Sequence, residues 1–301
     1  MPEPTPRSTP PSHHTPTPDQ QMSVWATCQQ PAHRQRQDRY VRATRAHPAK
    51  MLPAVAAYVV RTYTRPGDLV LDPMCGSGTT LVEAVHAGRH AIGVDIEPGF
   101  TALARANLRL ADEQGAPGHG QVITGNATHL TNLLPPAARG HVALVLTSPP
   151  YGHVTHGLVQ TTNGHGLDKE HHRYGPAGNG NLAYVGWTRL LAGFTQIMTA
   201  CHDVLRPGGI VAITVRPVRH HRDDFIDLPS QILTAATTAG LTPLDRCVAL
   251  LAAVRDDHLI HRASLFALLA ARRARRDGIP LSLVAHEDVL ILTRPTTPPN
   301  P

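Results

Sequence analysis

Ser148, Pro149, Pro150 and Tyr151 place a hydroxyl, two rigid rings and an aromatic side chain in four consecutive residues. They follow the apolar run 141–146, which reads as a buried strand, and two prolines stop that strand from continuing. The carboxyl end of a strand is where ligands bind in open α/β sheets. The group suits a flat substrate bearing an amino group: Tyr151 offers a face to stack on, while the Ser148 hydroxyl and the Pro149 carbonyl are fixed acceptors. A second chemical group lies upstream. In Asp72-Pro73-Met74-Cys75-Gly76-Ser77-Gly78-Thr79, a strand turns into a helix, and glycines let the backbone turn tightly and approach a ligand. Asp95 ends the next strand, where a carboxylate can accept both hydroxyls of a ribose.

The elements that must position these groups alternate. A helix over 54–63 is stopped by Pro66-Gly67, and a strand over 68–72 feeds the glycine turn. A helix over 79–87, a strand over 90–95, a helix over 101–113 and strands over 121–126 and 141–146 follow. Beyond Tyr151 comes a Gly-, His- and Asn-rich loop over 152–186, then a helical face from Leu190 to Leu205. A turn at 206–209, a strand over 210–215, a helix over 230–239, a strand over 247–253, a helix over 262–276 and a strand over 288–293 complete the chain. Such alternation predicts a mostly parallel sheet with right-handed crossovers.

Residues 1–22 are Pro-, Thr- and Ser-rich and predict a disordered tail, and 296–301 a second tail. The folded domain is expected over 47–295. Between tail and domain, 23–46 is a basic arm carrying Arg34, Arg36, Arg39, Arg42 and Arg45; it reads as solvated or as a helix that settles on a phosphate backbone. The formal net charge of +6 and the pI near 9.5 lean toward a polyanionic partner. Four scattered cysteines without CxxC spacing indicate neither disulfide framework nor metal site, and Cys28 with His33 lacks a second ligand pair. No run is long enough to span a bilayer and the N-terminus lacks signal-peptide layout, so a reducing cytoplasm is expected.

Leu81 stands where a GxGxxG motif has its third glycine, which argues against a pyrophosphate-bearing dinucleotide. S-adenosylmethionine has no phosphate and does not need that glycine. Asp72 reads either as part of this site or as a turn cap. Lys50 reads either as a partner of the methionine carboxylate or as a solvated lysine at a helix start.

The turn 72–80 together with Thr147-Ser148-Pro149-Pro150-Tyr151 resembles the amino-group DNA methyltransferases, which form N4-methylcytosine or N6-methyladenine. His47-Pro48-Ala49-Lys50 is similar to their segment that closes over the methionine end of the cofactor. The resemblance spans about 47–294. It implies a class I methyltransferase fold, α/β and Rossmann-like, with a seven-stranded mostly parallel sheet. It implies S-adenosylmethionine as cofactor, with Asp72, Pro73, Gly76 and Gly78 around the methionine moiety and Met74 and Thr79 in the same turn. Asp95 would hold the ribose and Ile96 pack on the adenine, beside Asn126 and Ala127. Asn126 replaces the usual acid, and its amide oxygen can still accept from the adenine amino group. Ser148 resembles the cytosine-modifying members, so cytosine N4 is favoured over adenine N6. Ser148, Pro149, Pro150 and Tyr151 would be catalytic, on a base flipped from double-stranded DNA.

The loop bearing His153, His156, Lys169, His171, His172, Arg173 and Tyr174 is a candidate DNA contact or a flexible surface loop. Arg272, Arg273, Arg275 and Arg276 either grip phosphates or form a solvated helix end. Three alternatives stay open: an RNA base methyltransferase on the same core, a methyltransferase acting on a protein glutamine, and a non-catalytic nucleic-acid-binding protein of this fold. The glutamine reading expects Asn where Ser148 stands.

Overall fold

The computed structural model describes residues 21–47, 50–150, 159–161, 167–169, 181–182, 185–216, 218–219, 225–263 and 265–296. Its centre is an eight-stranded sheet. The strands are β1 (Val24–Trp25), β2 (Leu69–Asp72), β3 (His90–Asp95), β4 (Gly120–Thr124), β5 (Val142–Thr147), β6 (Leu205–Val215), β7 (Thr242–Leu250) and β8 (His286–Thr293). In space they run β1-β7-β8-β6-β5-β2-β3-β4. All pairings are parallel except those of β8, which lies antiparallel to both β6 and β7. The expected seven strands are present, and β1 adds a two-residue eighth at the edge.

Every residue of β5 is buried. Its position mid-sheet, covered on both faces, explains why the sequence there is continuously apolar rather than alternating. Alternate strand residues feed two cores. Val70, Leu144, Leu146 and Ala212 face α1 (Pro53–Tyr63), α2 (Thr79–His86) and α3 (Pro98–Glu113). Leu71, Val145 and Ile213 face α4 (Trp187–Val204) and α5 (Leu228–Thr238), with Phe194 and Met198 fully buried between them. Residues 206–209 bulge from the β5–β6 ladder: Val142 pairs with Leu205 and Leu144 with Ile210, so the expected turn survives inside one strand.

The segment 24–46 differs from the arm its charge suggests. Val24 and Trp25 pair in parallel with Val248 and Ala249 of β7. Trp25 is buried and stacks on Tyr58 at 4.4 Å. Arg39 grips Glu83 of α2 with two bonds of 3.0 Å, and the Tyr40 hydroxyl donates to the same carboxylate at 2.7 Å. Arg36 donates to the Thr79 hydroxyl at 3.2 Å and to the Met51 carbonyl at 2.5 Å. Glu83 is 4 % exposed, and a buried carboxylate must be paired. Arg39 satisfies this buried acid and Arg36 ties the segment to Thr79 and Met51, while Arg34, Arg42 and Arg45 remain exposed. Arg39→Ala leaves the carboxylate with Tyr40 alone and should cost about 2–4 kcal/mol of stability, close to the penalty for breaking a buried ion pair. Urea unfolding of wild type and variant measures this, and a loss below about 1 kcal/mol would contradict the pairing.

Three insertions leave the carboxyl edge of the sheet among the described residues. Val218–Arg219 pairs with Phe225–Ile226 after β6. After β7 come a hairpin, Ala252–Arg255 with His258–His261, and helix α6 (Leu265–Arg276). Val159–Thr161 pairs with Leu167–Lys169 in the long connection after β5. Among the described residues no helix is long and apolar enough to cross a membrane.

Candidate active site

The carboxyl ends of β2, β3 and β5 open into one cleft of about 970 Å³, counted out to its open mouth. The β2 end supplies Asp72 and the turn residues Pro73, Met74, Gly76 and Thr79. The β3 end supplies Asp95 and Ile96, and the chain after β4 supplies Asn126 and Ala127. From β5 come Ser148, Pro149 and Pro150, and from the start of the domain Lys50. Two groups of residues far apart in the chain therefore share one wall-to-wall space. Tyr151 lies outside the described residues. Gly78 is not on the cleft wall. It caps α2 with φ +84°, and a Cβ there would sit 3.0 Å from Ala104 Cβ.

Gly76 is required twice over. Its φ is +50°, and a Cβ would fall 2.5 Å from His47 Nε2. The His47 ring lies over the turn and packs on Phe100 at 4.2 Å. Both rings line the cleft, as do Glu97 and Asn181, whose amide donates to Glu97 Oε1 at 2.6 Å. Sequence reasoning did not single out Phe100, Glu97 or Asn181. Phe100 and Glu97 lie within five residues of Asp95, so a closer reading of that strand end had a signal for them. Asn181 arrives across 84 positions and had none.

Asp95 is bound before any ligand arrives. Its carboxylate accepts from the Gly76 N–H at 2.8 Å and the Glu97 N–H at 2.9 Å. These bonds tie the glycine turn to β3 and oppose the effect of burial, which pushes the Asp95 carboxyl up to about 6. Burial also pushes Asp72 up to about 6, against the Met74 N–H and the Thr80 and Thr147 hydroxyls, and the nearby Asp95 adds to the rise. The Thr147 hydroxyl faces this carboxylate without reaching hydrogen-bonding geometry. Lys50 moves the other way, down to about 8, by burial and then by the charge of Arg36. Its ammonium donates to the His47 and Arg45 carbonyls. Asn126 differs from expectation. Its amide oxygen accepts from the Thr128 N–H at 3.0 Å and the Thr128 hydroxyl at 2.9 Å. Both lone pairs are used, so the amide N–H₂ is what it can offer to the cleft.

Cys75 also lines the cleft, but its thiol is buried and pushed well above the ordinary range, by burial first and then by Asp95 and Asp72. It packs where a side chain on Gly93 would otherwise stand, 2.8 Å from that Cβ position. A thiol that stays protonated is no nucleophile. Cys75→Ala should keep more than half of any turnover and lose about 1 kcal/mol of stability through the small void. Steady-state rates beside thermal melting check this, and abolished turnover with intact cofactor binding would contradict it.

The cleft fits S-adenosylmethionine on its donor set. Asp72, a buried carboxylate without full charge compensation, suits the ligand's positively charged methionine end, Asp95 suits the ribose hydroxyls, and the lysine suits the ligand's carboxylate. Strand order and strand directions define a class I methyltransferase fold. Residues 4–106 match the DNA methylase family of N6- and N4-methyltransferases. A 76-residue stretch is 33 % identical to the Type II methyltransferase M.MjaII of Methanocaldococcus jannaschii, covering 25 % of this chain and 14 % of that enzyme. Among solved structures, TrmN from Thermus thermophilus superposes with a TM-score of 0.50 at 17 % identity, over 86 % of this chain and 52 % of that one. A S-adenosylmethionine-dependent O-methyltransferase from Thermotoga maritima is a looser neighbour, with a TM-score of 0.45, 12 % identity, and 82 % and 66 % covered. The sequence matches are thus to amino-group DNA methyltransferases, over residues 4–106 and the 76-residue stretch, and S-adenosylmethionine is the cofactor that this family and this fold share. The family match ends before Ser148, so the target-base half of the cleft stands on its own residues.

Proposed function

We propose that this protein methylates the exocyclic amino group of a base turned out of double-stranded DNA, cytosine N4 in preference to adenine N6. The observation that carries the reading is the placement of Ser148, Pro149 and Pro150 in the same cleft as Asp72, Gly76 and Asp95. An exocyclic amine is a poor nucleophile because its lone pair is delocalised into the ring. Ser148 Oγ and the Pro149 carbonyl accept its two N–H bonds and draw the nitrogen toward a tetrahedral shape. The lone pair then points across the cleft to the methionine end of the cofactor site. Bound S-adenosylmethionine supplies an electrophilic methyl group there. Positioning for in-line displacement provides most of the acceleration. Serine is not basic, so Ser148 orients the amine and the surplus proton leaves to solvent after transfer. Tyr151 stacks on the extruded base.

On the cofactor side, Asp95 receives the ribose, Ile96 packs on the adenine and Lys50 pairs with the carboxylate. Asn126 donates from its amide to an adenine ring nitrogen. Ser in place of Asp at 148 supports cytosine.

The deciding experiment incubates the protein and methyl-labelled S-adenosylmethionine with duplex DNA, single-stranded DNA, RNA and protein, then separates the nucleosides. Labelled N4-methylcytosine from duplex DNA is the expected product. Label confined to RNA or protein rejects the proposal, and N6-methyladenine rejects the base preference alone.

A further inference from the structure

We infer that the exposed arginine stripe of α6, together with the hairpin before it, is a duplex-DNA phosphate grip beside the target-base cleft. The inference rests on the DNA reading above. β7 runs parallel to β5, so the chain leaves Leu250 at the same carboxyl edge that carries Ser148. The order β5-β6-β8-β7 sets that exit three strand spacings from β5, about 14 Å. This flank is opposite the one holding Asp72 and Asp95, which lie on β2 and β3. A duplex seated over the cleft, with a major groove about 12 Å wide, would reach the insertion.

The charge of this element is one-sided. Residues 252–276 hold six arginines (Arg255, Arg262, Arg272, Arg273, Arg275 and Arg276) against Asp256 and Asp257, or +4 of the chain's formal +6. Two arginines have structural work: Arg262 donates to the Gln29 carbonyl and Arg275 to the Leu281 carbonyl. Arg255, Arg272, Arg273 and Arg276 are exposed and pair with no acid among the described residues. Leu269, Arg272, Arg273 and Arg276 are spaced i, i+3, i+4, i+7 and share one face, while Ala271 is buried behind them. From Arg272 to Arg276 the helix advances about 6 Å, close to two nucleotide steps along one strand. A solvent face of a surface helix is commonly charged, but this one holds four arginines and no acid over Leu265–Arg276, with an exposed leucine leading the stripe, at the substrate edge of the sheet.

The test compares Arg272→Ala/Arg273→Ala/Arg276→Ala with wild type for duplex binding over a salt series. A control, Arg61→Ala/Arg65→Ala/Arg139→Ala, removes equal charge from exposed positions at the amino edge. The stripe variant should lose roughly 10–100-fold in duplex affinity, and its salt slope should fall by about 2.7, for three lost phosphate contacts. Cofactor affinity and melting temperature should hold, the control should stay within about threefold, and the triple Arg→Lys variant should recover most of the slope. A stripe variant indistinguishable from wild type or from the control overturns the inference. A loss seen with RNA but not with duplex DNA overturns it as well. A wild type that methylates no DNA sinks the functional reading, whereas a methylating wild type with an unaffected stripe variant sinks only the grip.

Discussion

Ser148→Ala is expected to lower the methyl-transfer rate on the order of 10²–10³-fold while cofactor affinity changes by less than about twofold. The size follows from removing one preorganised hydrogen-bonding partner at the reacting centre. The Pro149 carbonyl remains and is held by β5, whose residues are all buried, so part of the orientation persists and the loss is not total. The split between rate and affinity follows from position. Ser148 lies at the end of β5, whereas the groups suited to ribose, ammonium and carboxylate come from β2, β3 and Lys50. Its side chain is half-exposed, so the alanine variant leaves no buried void and should fold as wild type does. Single-turnover methylation of duplex DNA gives the rate, and calorimetric titration with S-adenosylmethionine gives the affinity. Full turnover in the variant would remove Ser148 from the mechanism. A parallel fall in cofactor affinity would instead move it to the cofactor site.

Strand–helix alternation, the glycine turn and the acid ending β3 were legible in the sequence because each is a local pattern. Asp72 and Asp95 stand at the last positions of their strands, as their apolar flanks require. The parts that were not legible are pairings across long stretches of chain. Arg39, Tyr40 and Glu83 meet across more than forty residues, and no composition of the arm announces that a buried glutamate awaits it. The two-residue strand Val24–Trp25 is too short for a periodic signal and exists only because β7 offers an edge. The strand expected over 247–253 ends at Leu250, and the chain then re-enters a hairpin whose Asp256 adopts φ +48°. An Asp-Asp pair between short apolar runs was a turn signal for that hairpin. Asn126 lines the cleft, but which of its amide groups faces it is set by Thr128, a neighbour whose hydroxyl the sequence could not orient.

Affinity for S-adenosylmethionine should rise between pH 5 and pH 7, by about tenfold for each carboxylate that must ionise, Asp72 to meet the ligand's positive charge and Asp95 to accept from the ribose hydroxyls. Asp72 and Asp95 both lie near 6, so most of each is protonated at the lower pH and ionised at the higher. Stability of the free protein runs the opposite way. Both groups rise on folding from 3.8, so the folded state holds their protons more tightly than the unfolded chain does. Their contribution to stability is therefore complete below 3.8 and is lost as pH climbs through about 6. The rise corresponds to roughly 3 kcal/mol per group on this scale. The cofactor thus binds best where the empty cleft is least favourable, because its cationic end compensates Asp72 and its ribose hydroxyls solvate Asp95. Asp95→Asn should raise the melting temperature of the free protein at pH 7, weaken cofactor binding there and flatten about half of the affinity's pH dependence. Calorimetry from pH 5 to 7, in two buffers of different ionisation heat, should also detect proton release on binding near pH 6. An affinity that stays flat across that range, with no proton released, would mean that neither carboxylate ionises to hold the ligand and that the acids serve the turn alone.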